Sequence, residues 1–362
     1  MIKILHAADL HLDAAFSSLT PHQAAQRRQE QRQMLFEIVR LANSEECQIV
    51  LLAGDLFDSD NAYPDTTEAL IAAFSSCKAQ IFIAPGNHDY LAPGCVYQTA
   101  NWPENVHIFK ENAIRSVSLP ELGCRVYGSA FTSMDAYGLL DGFTAEEDGL
   151  LNLMVLHGDC LNAGSPNNAI SKQQLAQSNL DYLALGHIHM QSGLRREGNT
   201  YYAWPGCPMG RGFDELGEKG VYIVQADKQS ADVRFVPMHG RKYEILQVEA
   251  GDDALASILA ALPEQTQNDI YRIILTGESA EISTAELHHA LDERFFGLEF
   301  KNKTEPKREL WERAEEDTLR GLFLRALKEK YDAAEDEESK RLYAQAARMG
   351  LDAMDGREVS EF

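Results

Sequence analysis

Five short apolar stretches of this sequence are each followed at once by side chains that can bind a metal ion. The stretches end in Asp9, His11, Asp55, Asn87, His88, His157, His187 and His189. The clearest stretch, residues 49–53, is typical of a strand buried on both faces of an α/β sheet. Such sheets bind ligands outside the carboxyl ends of their strands. We call each such strand end with its metal-binding side chains a tip. Helix capping by Asp55, or a structural hydrogen bond from one histidine, would explain a single tip. Five tips together indicate a shared site.

The mixture of ligand types limits the chemistry of this site. Five of the eleven histidines fall in the tips, together with aspartate and asparagine. Imidazole and carboxylate ligands together suit Mn, Fe or Zn rather than a thiolate site or an all-oxygen calcium site. One aspartate can bridge two ions ~3.5–4 Å apart, which is the geometry of two-metal phosphoester cleavage. The tips therefore predict a site for divalent metal ions, and this ligand mixture is the kind that two-metal phosphoester cleavage requires.

The segments between the tips predict the elements that position them. The Thr20-Pro21 pair, an N-cap residue followed by proline, marks the start of a helix that ends near residue 46, and residues 66–77 predict a second helix. Apolar runs predict strands over residues 3–8, 49–53, 80–84, 151–156, 183–185, 200–204 and 220–225. Strands that alternate with helices in this way are typical of an α/β fold.

Size and composition set the class of protein. With 362 residues, 44% of them hydrophobic, the chain can bury one large core and form a second unit. Its six cysteines form no Cys-x-x-Cys pair, which suits reduced thiols in the cytoplasm. We see no signal-peptide pattern and no apolar run near the ~20 residues of a membrane span. We therefore expect a soluble, cytoplasmic protein without a membrane partner.

The net charge of −23, from 56 acidic and 33 basic residues, bears on the substrate. Proteins that bind duplex DNA usually have a basic face, so this charge argues against tight, unaided binding of nucleic acid. Bound metal cations can supply the missing positive charge locally.

The motifs around the tips resemble, in order, the five-part signature of the calcineurin-like metallophosphoesterases. They are Asp9-x-His11, Gly54-Asp55-x-x-Asp58, Gly86-Asn87-His88-Asp89, His157-Gly158 and Gly186-His187-x-His189. Residues 5–12, 54–58 and 186–189 are most similar to the bacterial DNA-repair exonucleases of the SbcD/Mre11 type. Residues 205–220 are most similar to the YhaO-like members of that branch. The resemblance implies a four-layer α-β-β-α sandwich over residues 1–240.

The resemblance also implies a ligand set for two ions, most often Mn²⁺ with Fe or Zn as alternatives. One ion would be held by Asp9, His11, Asp55 and His189, and the other by Asp55, Asn87, His157 and His187. Asp55 would then bridge the two ions.

Three further side chains are candidates for roles toward the substrate. His88 is not needed as a ligand, so it is free to contact a phosphate oxygen or to protonate the leaving oxygen as general acid. The resemblance makes Asp58 the residue that orients His88, although some nuclease relatives have histidine there, which leaves a phosphatase activity open. Arg211 follows the last tip in a glycine-rich loop and would bind substrate phosphate, or else be an ordinary solvated arginine. Asp89 is interpreted as the cap of a turn.

Two segments follow the predicted catalytic domain. We predict a small α/β unit over residues 241–305. The resemblance implies that this unit is a capping domain, as in the nuclease relatives, and the alternative is a stabilising appendage without a substrate role. Residues 306–362 read as a charged helical tail with two apolar stripes, separated by the acidic residues 335–338. The resemblance implies that this tail docks an SMC-like ATPase, whereas packing back on the protein is the alternative. A homodimer is a further expectation.

The leading hypothesis is a two-metal phosphodiesterase that acts as an exonuclease on DNA ends in repair. The acidic charge favours the alternative of a phosphodiesterase or phosphatase for a small molecule or nucleotide. A scaffold subunit with a structural metal is a third hypothesis. The complete ligand set and a free His88 argue against it, because a structural site gains nothing from open coordination positions.

Overall fold

The computed structural model describes residues 1–59, 62–279, 282–306 and 310–354, and the chain divides into two compact units. The first unit comprises Met1–Leu246, Pro263–Ile273 and His288–Glu299. The second comprises Gln247–Leu262, Ile274–Leu287 and Phe300–Phe362. The segment 241–305 contributes residues to both units.

The strands and helices have the following bounds. The strands are β1 (Ile2–Ala7), β2 (Ile49–Leu52), β3 (Gln80–Ile83), β4 (Val106–Ile108), β5 (Arg115–Leu119), β6 (Cys124–Gly128), β7 (Leu151–His157), β8 (Tyr182–Gly186), β9 (Arg195–Glu197), β10 (Thr200–Ala203), β11 (Gly220–Ala226), β12 (Ala231–Pro237), β13 (Tyr243–Glu249), β14 (Ile270–Thr276), β15 (Glu278–Ser279), β16 (Gly297–Asn302) and β17 (Glu305–Pro306). The helices are α1 (Pro21–Ser44), α2 (Pro64–Ser75), α3 (Val96–Thr99), α4 (Lys172–Gln177), α5 (Ala254–Ala261), α6 (Thr284–Leu291), α7 (Leu319–Ala333) and α8 (Glu337–Met354).

Two six-stranded sheets are formed by the described residues of the first unit. The first sheet has the order β12-β11-β1-β2-β3-β4, with β1 to β4 parallel and β11 and β12 antiparallel. The second has the order β5-β6-β7-β8-β10-β9, with a parallel centre and antiparallel edge strands β5 and β9. The parallel strands of each sheet therefore present their carboxyl ends, and the loops that follow them, at one edge.

The two sheets pack face to face, with helices outside them. Alternation along β7 shows the layers: Leu153 and Val155 face a core that the two sheets share, whereas Met154 and Leu156 join a core on the outer face. Helices α1 and α2 cover the outer face of the first sheet, and α4 lies on that of the second. This arrangement confirms the predicted α-β-β-α sandwich.

One polar side chain joins the sheets inside their shared core. His6 of β1 is fully buried, with Nδ1 2.9 Å from the hydroxyl of Tyr182 and Nε2 3.0 Å from the carbonyl of Leu185, both in β8. Burial lowers the pKa of His6 to about 3, against a weaker raising effect from the Leu185 carbonyl. His6 is therefore neutral in the folded chain at physiological pH.

Local signals explain the first helix. Thr20 caps α1, and Thr20 and Gln23 form a reciprocal capping box with Pro21 in the first turn. The predicted start of this helix is confirmed, and the helix ends at Ser44, two residues before the predicted end.

The described part of the C-terminal segment is helical, as predicted. Helices α7 and α8 belong to the second unit and share a core formed by Ala314, Leu324, Ala347 and Leu351, with Phe323 packed against it. The first predicted stripe also includes Leu319 and Leu322, and the second includes Leu342; these three leucines are exposed. Among the described residues, we find no helix with the length and apolar character needed to cross a membrane.

Candidate metal centre

The loops that follow β1, β2 and β8 have an unusual backbone. Asp9, His11, Asp55 and His187 have φ values of 53°, 44°, 50° and 91°, in the left-handed region that non-glycine residues rarely occupy. Each such residue costs about 1–3 kcal/mol and persists only where its surroundings fix it. Here the loops fix each other, because the Asp9 amide donates to the Gly54 carbonyl at 3.1 Å and the His11 amide to the Asp55 carbonyl at 2.9 Å.

Three glycines allow these loops to approach closely. A Cβ on Gly54 would lie 2.4 Å from Nδ1 of His157, and one on Gly86 would lie 2.3 Å from Oδ1 of Asp55. A Cβ on Gly186 would lie 1.9 Å from the Ala53 carbonyl oxygen. Glycine at these positions therefore provides space for the neighbouring side chains and backbone, and Gly54, with a φ of 85°, also adopts a conformation that other residues rarely take.

The predicted ligands lie together at this edge of the sandwich. One group consists of Asp9, His11 and His189, whose donor atoms all lie within 4.8 Å of one another. In a second group, Oδ1 of Asn87 lies 2.9 Å from Nε2 of His157 and 3.3 Å from Nδ1 of His187. The structure thus places six of the seven predicted ligands in two adjoining groups, each containing a pair of histidines.

Two carboxylates stand between the histidine pairs. Oδ2 of Asp55 lies 3.4 Å from Nε2 of His157 and 3.7 Å from Nε2 of His11. Asp9 also has a donor atom within 4.8 Å of those of Asp55 and His157. Asp55 is 1% exposed and Asp9 fully buried, so both charges lie out of water and need a cationic partner.

The hydrogen-bonding of the first pair tests whether a cation fits. Nδ1 of His11 lies 3.1 Å from the Asp58 carboxylate, and Nδ1 of His189 lies 2.7 Å from the Glu215 carboxylate. Because an ionised carboxylate only accepts, each Nδ1 carries a hydrogen, and a neutral ring then has a lone pair on Nε2. The two Nε2 atoms face each other at 3.2 Å. Two opposed lone pairs fit a cation, so the residues present suit divalent metal ions.

The histidines of the second pair have different outer partners. Nδ1 of His157 lies 2.8 Å from the Ala53 carbonyl, and Nε2 of His187 lies 3.7 Å from Oδ2 of Asp159. Asn168 donates from its side chain to the His157 carbonyl at 2.9 Å. These contacts leave Nε2 of His157 and Nδ1 of His187 directed at Asn87.

The pKa values of the metal-free centre follow from burial and the two carboxylates. Burial alone would lower the pKa of His157, but the Asp55 carboxylate outweighs it and raises the pKa to about 9. The pKa of His187 is lowered by burial and by the neighbouring His157. The pKa of Asp55 is lowered, because His157 and His11 outweigh the opposing effect of burial. The buried carboxylates thus favour positive charge at this position.

Asp89 connects the two loops that carry Asp55 and Asn87. Its buried carboxylate accepts from the amides of Leu56 at 2.7 Å and Gly86 at 2.7 Å, and from the hydroxyl of Tyr97. Burial and the nearby Asp55 raise the pKa of Asp89. The structure thus gives Asp89 the capping contacts expected of it, across two loops.

His88 is exposed at the rim of the centre. Its amide donates to Oδ1 of Asp55 at 2.9 Å, and its ring meets the His11 ring edge-on with centroids 4.7 Å apart. Nδ1 of His88 lies 3.1 Å from the backbone carbonyl of Asp58. Because that carbonyl only accepts, Nδ1 carries the hydrogen, and Nε2 remains for another partner.

Asp58 and Arg211 have contacts that the sequence did not predict. The Asp58 carboxylate is hydrogen-bonded to His11 and to Arg211, whereas the contact between Asp58 and the ring of His88 runs through the Asp58 backbone. Arg211 donates to Asp58 at 2.7 Å and to Glu215 at 2.7 Å. Arg211 therefore lies at the centre, but between two carboxylates rather than free in solvent.

Sequence reasoning missed three residues around the ligands: Glu215, Asp159 and Asn168. Glu215 is buried, and its pKa is lowered because hydrogen bonds from His189 and Arg211 outweigh the effect of burial. Its one signal was a place in the glycine-containing run of residues 215–220. Asp159 directly follows the His157-Gly158 motif, but nothing in its spacing indicates that it faces His187.

The aspartate, asparagine and histidine side chains at one edge of the two-sheet sandwich define a candidate metal centre with mixed nitrogen and oxygen ligands. The family model for calcineurin-like phosphoesterases matches residues 2–191. That match covers more than half of the chain, which belongs to this family.

Similar proteins fall in the predicted branch. The chain is 28% identical over 334 residues to the uncharacterized metallophosphoesterase YhaO of Bacillus subtilis, covering 86% of this chain and 80% of that protein. It is 24% identical over 249 residues to the DNA double-strand break repair protein Mre11 of Saccharolobus solfataricus (63% of this chain, 61% of Mre11). It is 26% identical over 270 residues to the DNA double-strand break repair protein Mre11 of Aeropyrum pernix, which covers 70% of this chain and 64% of that protein. The expected resemblance to YhaO and Mre11 is confirmed, and the chain spans less than two thirds of either Mre11 protein.

Proposed function

We propose that this protein is a two-metal phosphodiesterase that acts as an exonuclease on DNA ends, with Mn²⁺ at both positions. The observation that carries the proposal is the place of Asp55, whose Oδ2 lies within 3.7 Å of a histidine from each pair. A carboxylate so placed suits two ions side by side, with Asp9, His11 and His189 around one and Asn87, His157 and His187 around the other. The similarity to Mre11 supports DNA as the substrate.

The ions and the side chains have separate tasks. Bound divalent ions would lower the pKa of a coordinated water and polarise the phosphate oxygens. His88 would hold a proton on Nε2 and transfer it to the leaving oxygen, while Nδ1 stays on the Asp58 carbonyl. Asp58 would then orient His88 through its backbone. Each Nη of Arg211 carries two hydrogens, so a phosphate oxygen could be bound beside the Asp58 and Glu215 contacts.

The acidic charge of the chain supports a second candidate, a phosphodiesterase for a small molecule or nucleotide. A net charge of −23 repels a long polyanion, whereas a small ester depends only on the local charge of the loaded centre. In either case we expect the bound ions to provide most of the attraction for phosphate.

The helical tail supports the partner part of the proposal. Leu319, Leu322 and Leu342 are 77%, 54% and 63% exposed, although neighbouring members of the same stripes pack between α7 and α8. We propose that an SMC-like ATPase covers these leucines. A homodimer is also part of the proposal.

The test compares three substrates under the same conditions with Mn²⁺. They are an end-labelled linear duplex, a covalently closed circle of the same sequence, and bis-p-nitrophenyl phosphate. The Asp55→Asn variant, purified in parallel, controls for contaminating nucleases. We expect the wild type to digest the linear duplex and the small ester but not the circle. Cleavage of the small ester alone would favour the second candidate, and cleavage of nothing would refute both.

A further inference from the structure

Five side chains form a closed ring around one half of the metal centre. The Nε2 atoms of His11 and His189 face each other and close the ring. From His11, hydrogen bonds and ion pairs lead through Asp58, Arg211 and Glu215 to His189. The contacts measure 3.1, 2.7, 2.7 and 2.7 Å in that order. One guanidinium therefore connects the carboxylates that hold the outer nitrogens of both histidines.

The ring uses nearly every acceptor of Glu215. Oε1 accepts from Nδ1 of His189 and Nη2 of Arg211, and Oε2 accepts from the backbone amide of Arg211 at 2.8 Å. The Glu215 side chain is 3% exposed and that of Arg211 19%, so water competes little for these bonds. A charged acceptor enclosed in this way fixes the rotamer of His189 more firmly than an exposed pair would.

Among the described residues, no such ring of carboxylates and a guanidinium surrounds His157 and His187 in the other half of the centre. His157 is held by the neutral carbonyl of Ala53 at 2.8 Å, and His187 has only the more distant carboxylate of Asp159 at 3.7 Å. Carboxylates that accept from a ligating histidine orient the ring and increase its basicity, and their loss typically weakens metal binding about 10–100-fold.

We infer that Arg211 and Glu215 are positioning residues that make the two metal positions unequal. Together with Asp58 they hold His11 and His189 with Nε2 toward the ion, so the position that contains this pair binds its ion more tightly. Arg211 acts through the two carboxylates, which explains why its guanidinium is paired on both sides. The inference depends on the metal-centre part of the proposed function but not on which ester is cleaved.

The experiment titrates the metal-free chain with Mn²⁺ by calorimetry and compares Glu215→Gln with the wild type. Glutamine has the same shape but one acceptor oxygen and no charge, so either the His189 ring or the Arg211 backbone amide loses its acceptor. We expect two binding steps in the wild type and a weakening of the tighter step by about 10–100-fold in the variant, with the weaker step changed by less than about twofold. Glu111→Gln is the matched control, because Glu111 forms an exposed pair with Arg115, also four residues away.

A second readout separates positioning from simple stability. Nitrogen-15 NMR of the metal-free chain reports which ring nitrogen of each histidine carries the hydrogen. We expect the Nδ1–H form for His189 in the wild type and a mixture of forms in Glu215→Gln. Arg211→Met should weaken the tighter step, and Arg211→Lys should restore part of it, because an ammonium can pair with one of the two carboxylates.

The outcomes are distinguishable. Two Mn²⁺ steps that are unchanged in Glu215→Gln and Arg211→Met would overturn this inference and leave the metal centre intact. Equal weakening of both steps would overturn the inequality of the two positions. A wild type that binds no Mn²⁺ would overturn both this inference and the proposed function. If Glu215→Gln fails to fold, the Arg211→Met and Arg211→Lys pair decides the question.

Discussion

Oδ2 of Asp55 lies 3.4 Å from Nε2 of His157, and this contact connects the two sheets of the sandwich. Asp55 follows β2 of the first sheet, whereas His157 is the last residue of β7 in the second. Neither sheet alone therefore contains a complete ligand group. The packing of one sheet on the other aligns the candidate ligands, so we expect the centre to be sensitive to small changes in the loops that carry them.

Gly86→Ala tests this sensitivity. The added Cβ would lie 2.3 Å from Oδ1 of Asp55, so the carboxylate has to move. We expect Mn²⁺ affinity, measured by calorimetry, to fall at least about tenfold. Gly240→Ala is the control, because a Cβ there meets nothing within 4 Å. Equal affinity in both variants would show that the position of Asp55 does not determine binding.

His88→Gln tests the general acid. Because Nδ1 is fixed on the Asp58 carbonyl, Nε2 is the atom that would carry the transferred proton. We expect kcat for phosphodiester cleavage to fall about 100- to 10,000-fold, with Mn²⁺ affinity changed by less than about twofold. His239→Gln, at an exposed position, should behave as the wild type. A matching loss of Mn²⁺ binding in His88→Gln would make His88 a ligand instead.

Metal binding should depend on pH through His157. A proton and a metal ion compete for its Nε2, and the pKa of His157 in the metal-free chain is raised to about 9 despite its burial. Below that pH the proton must leave before the ion binds. We expect the apparent Mn²⁺ affinity to increase from pH 6.5 to pH 8.5, by up to about tenfold per pH unit from this group. Calorimetry in buffers of different ionisation enthalpy measures the released proton. An affinity that is constant over this range would contradict the assignment.

Stability should depend on pH through His6, away from the centre. The pKa of His6 falls to about 3 in the folded chain, below its ordinary value of 6.5, because the side chain is buried. The unfolded chain therefore takes up the proton first. The contribution of His6 to stability is complete above pH 6.5 and is lost as the pH falls toward 3.

For the metal-free wild type this effect amounts to about 2 kcal/mol between pH 7 and pH 5. We expect His6→Gln to be less stable at pH 7, because the contacts to Tyr182 and Leu185 change, but to lose less stability on acidification. Urea denaturation at both pH values measures the difference, with His239→Gln as control. Parallel pH profiles for wild type and His6→Gln would contradict the role of His6.

The pattern of apolar residues predicts the buried central strands of this fold but not its edge strands. The central strands β1, β2, β3, β7 and β8 are continuous apolar runs, and each was predicted within about two residues of its bounds. Strands β5 and β12 were missed. They are edge strands whose residues are mostly exposed or half-buried, so their sequences lack an apolar run.

The candidate metal centre was likewise predicted only in part: its residues at the ends of buried strands were expected, and its residues in the loops were not. The sequence predicted that the candidate ligands after buried strands would lie together, because the ends of parallel strands converge at one edge of a sheet whatever the loops do. Glu215 and Asp159 were missed because their partners, His189 and His187, lie 26 and 28 residues away along the chain, and only the folded loops bring them together. Asp58 shows the same limit. Its motif indicated a place at the centre, but not that its carboxylate would pair with Arg211 153 residues away.

The most direct measurement is the number and coupling of Mn²⁺ ions bound by the chain, determined by electron paramagnetic resonance during a titration. Asp55 lies between the two histidine pairs, so we expect two ions per chain with a spin-coupled signal. In Asp55→Asn we expect weaker binding and loss of the coupling, whereas Asp135→Asn, at an exposed position, should match the wild type. One ion per chain, or two uncoupled ions in the wild type, would contradict a two-metal centre bridged by Asp55.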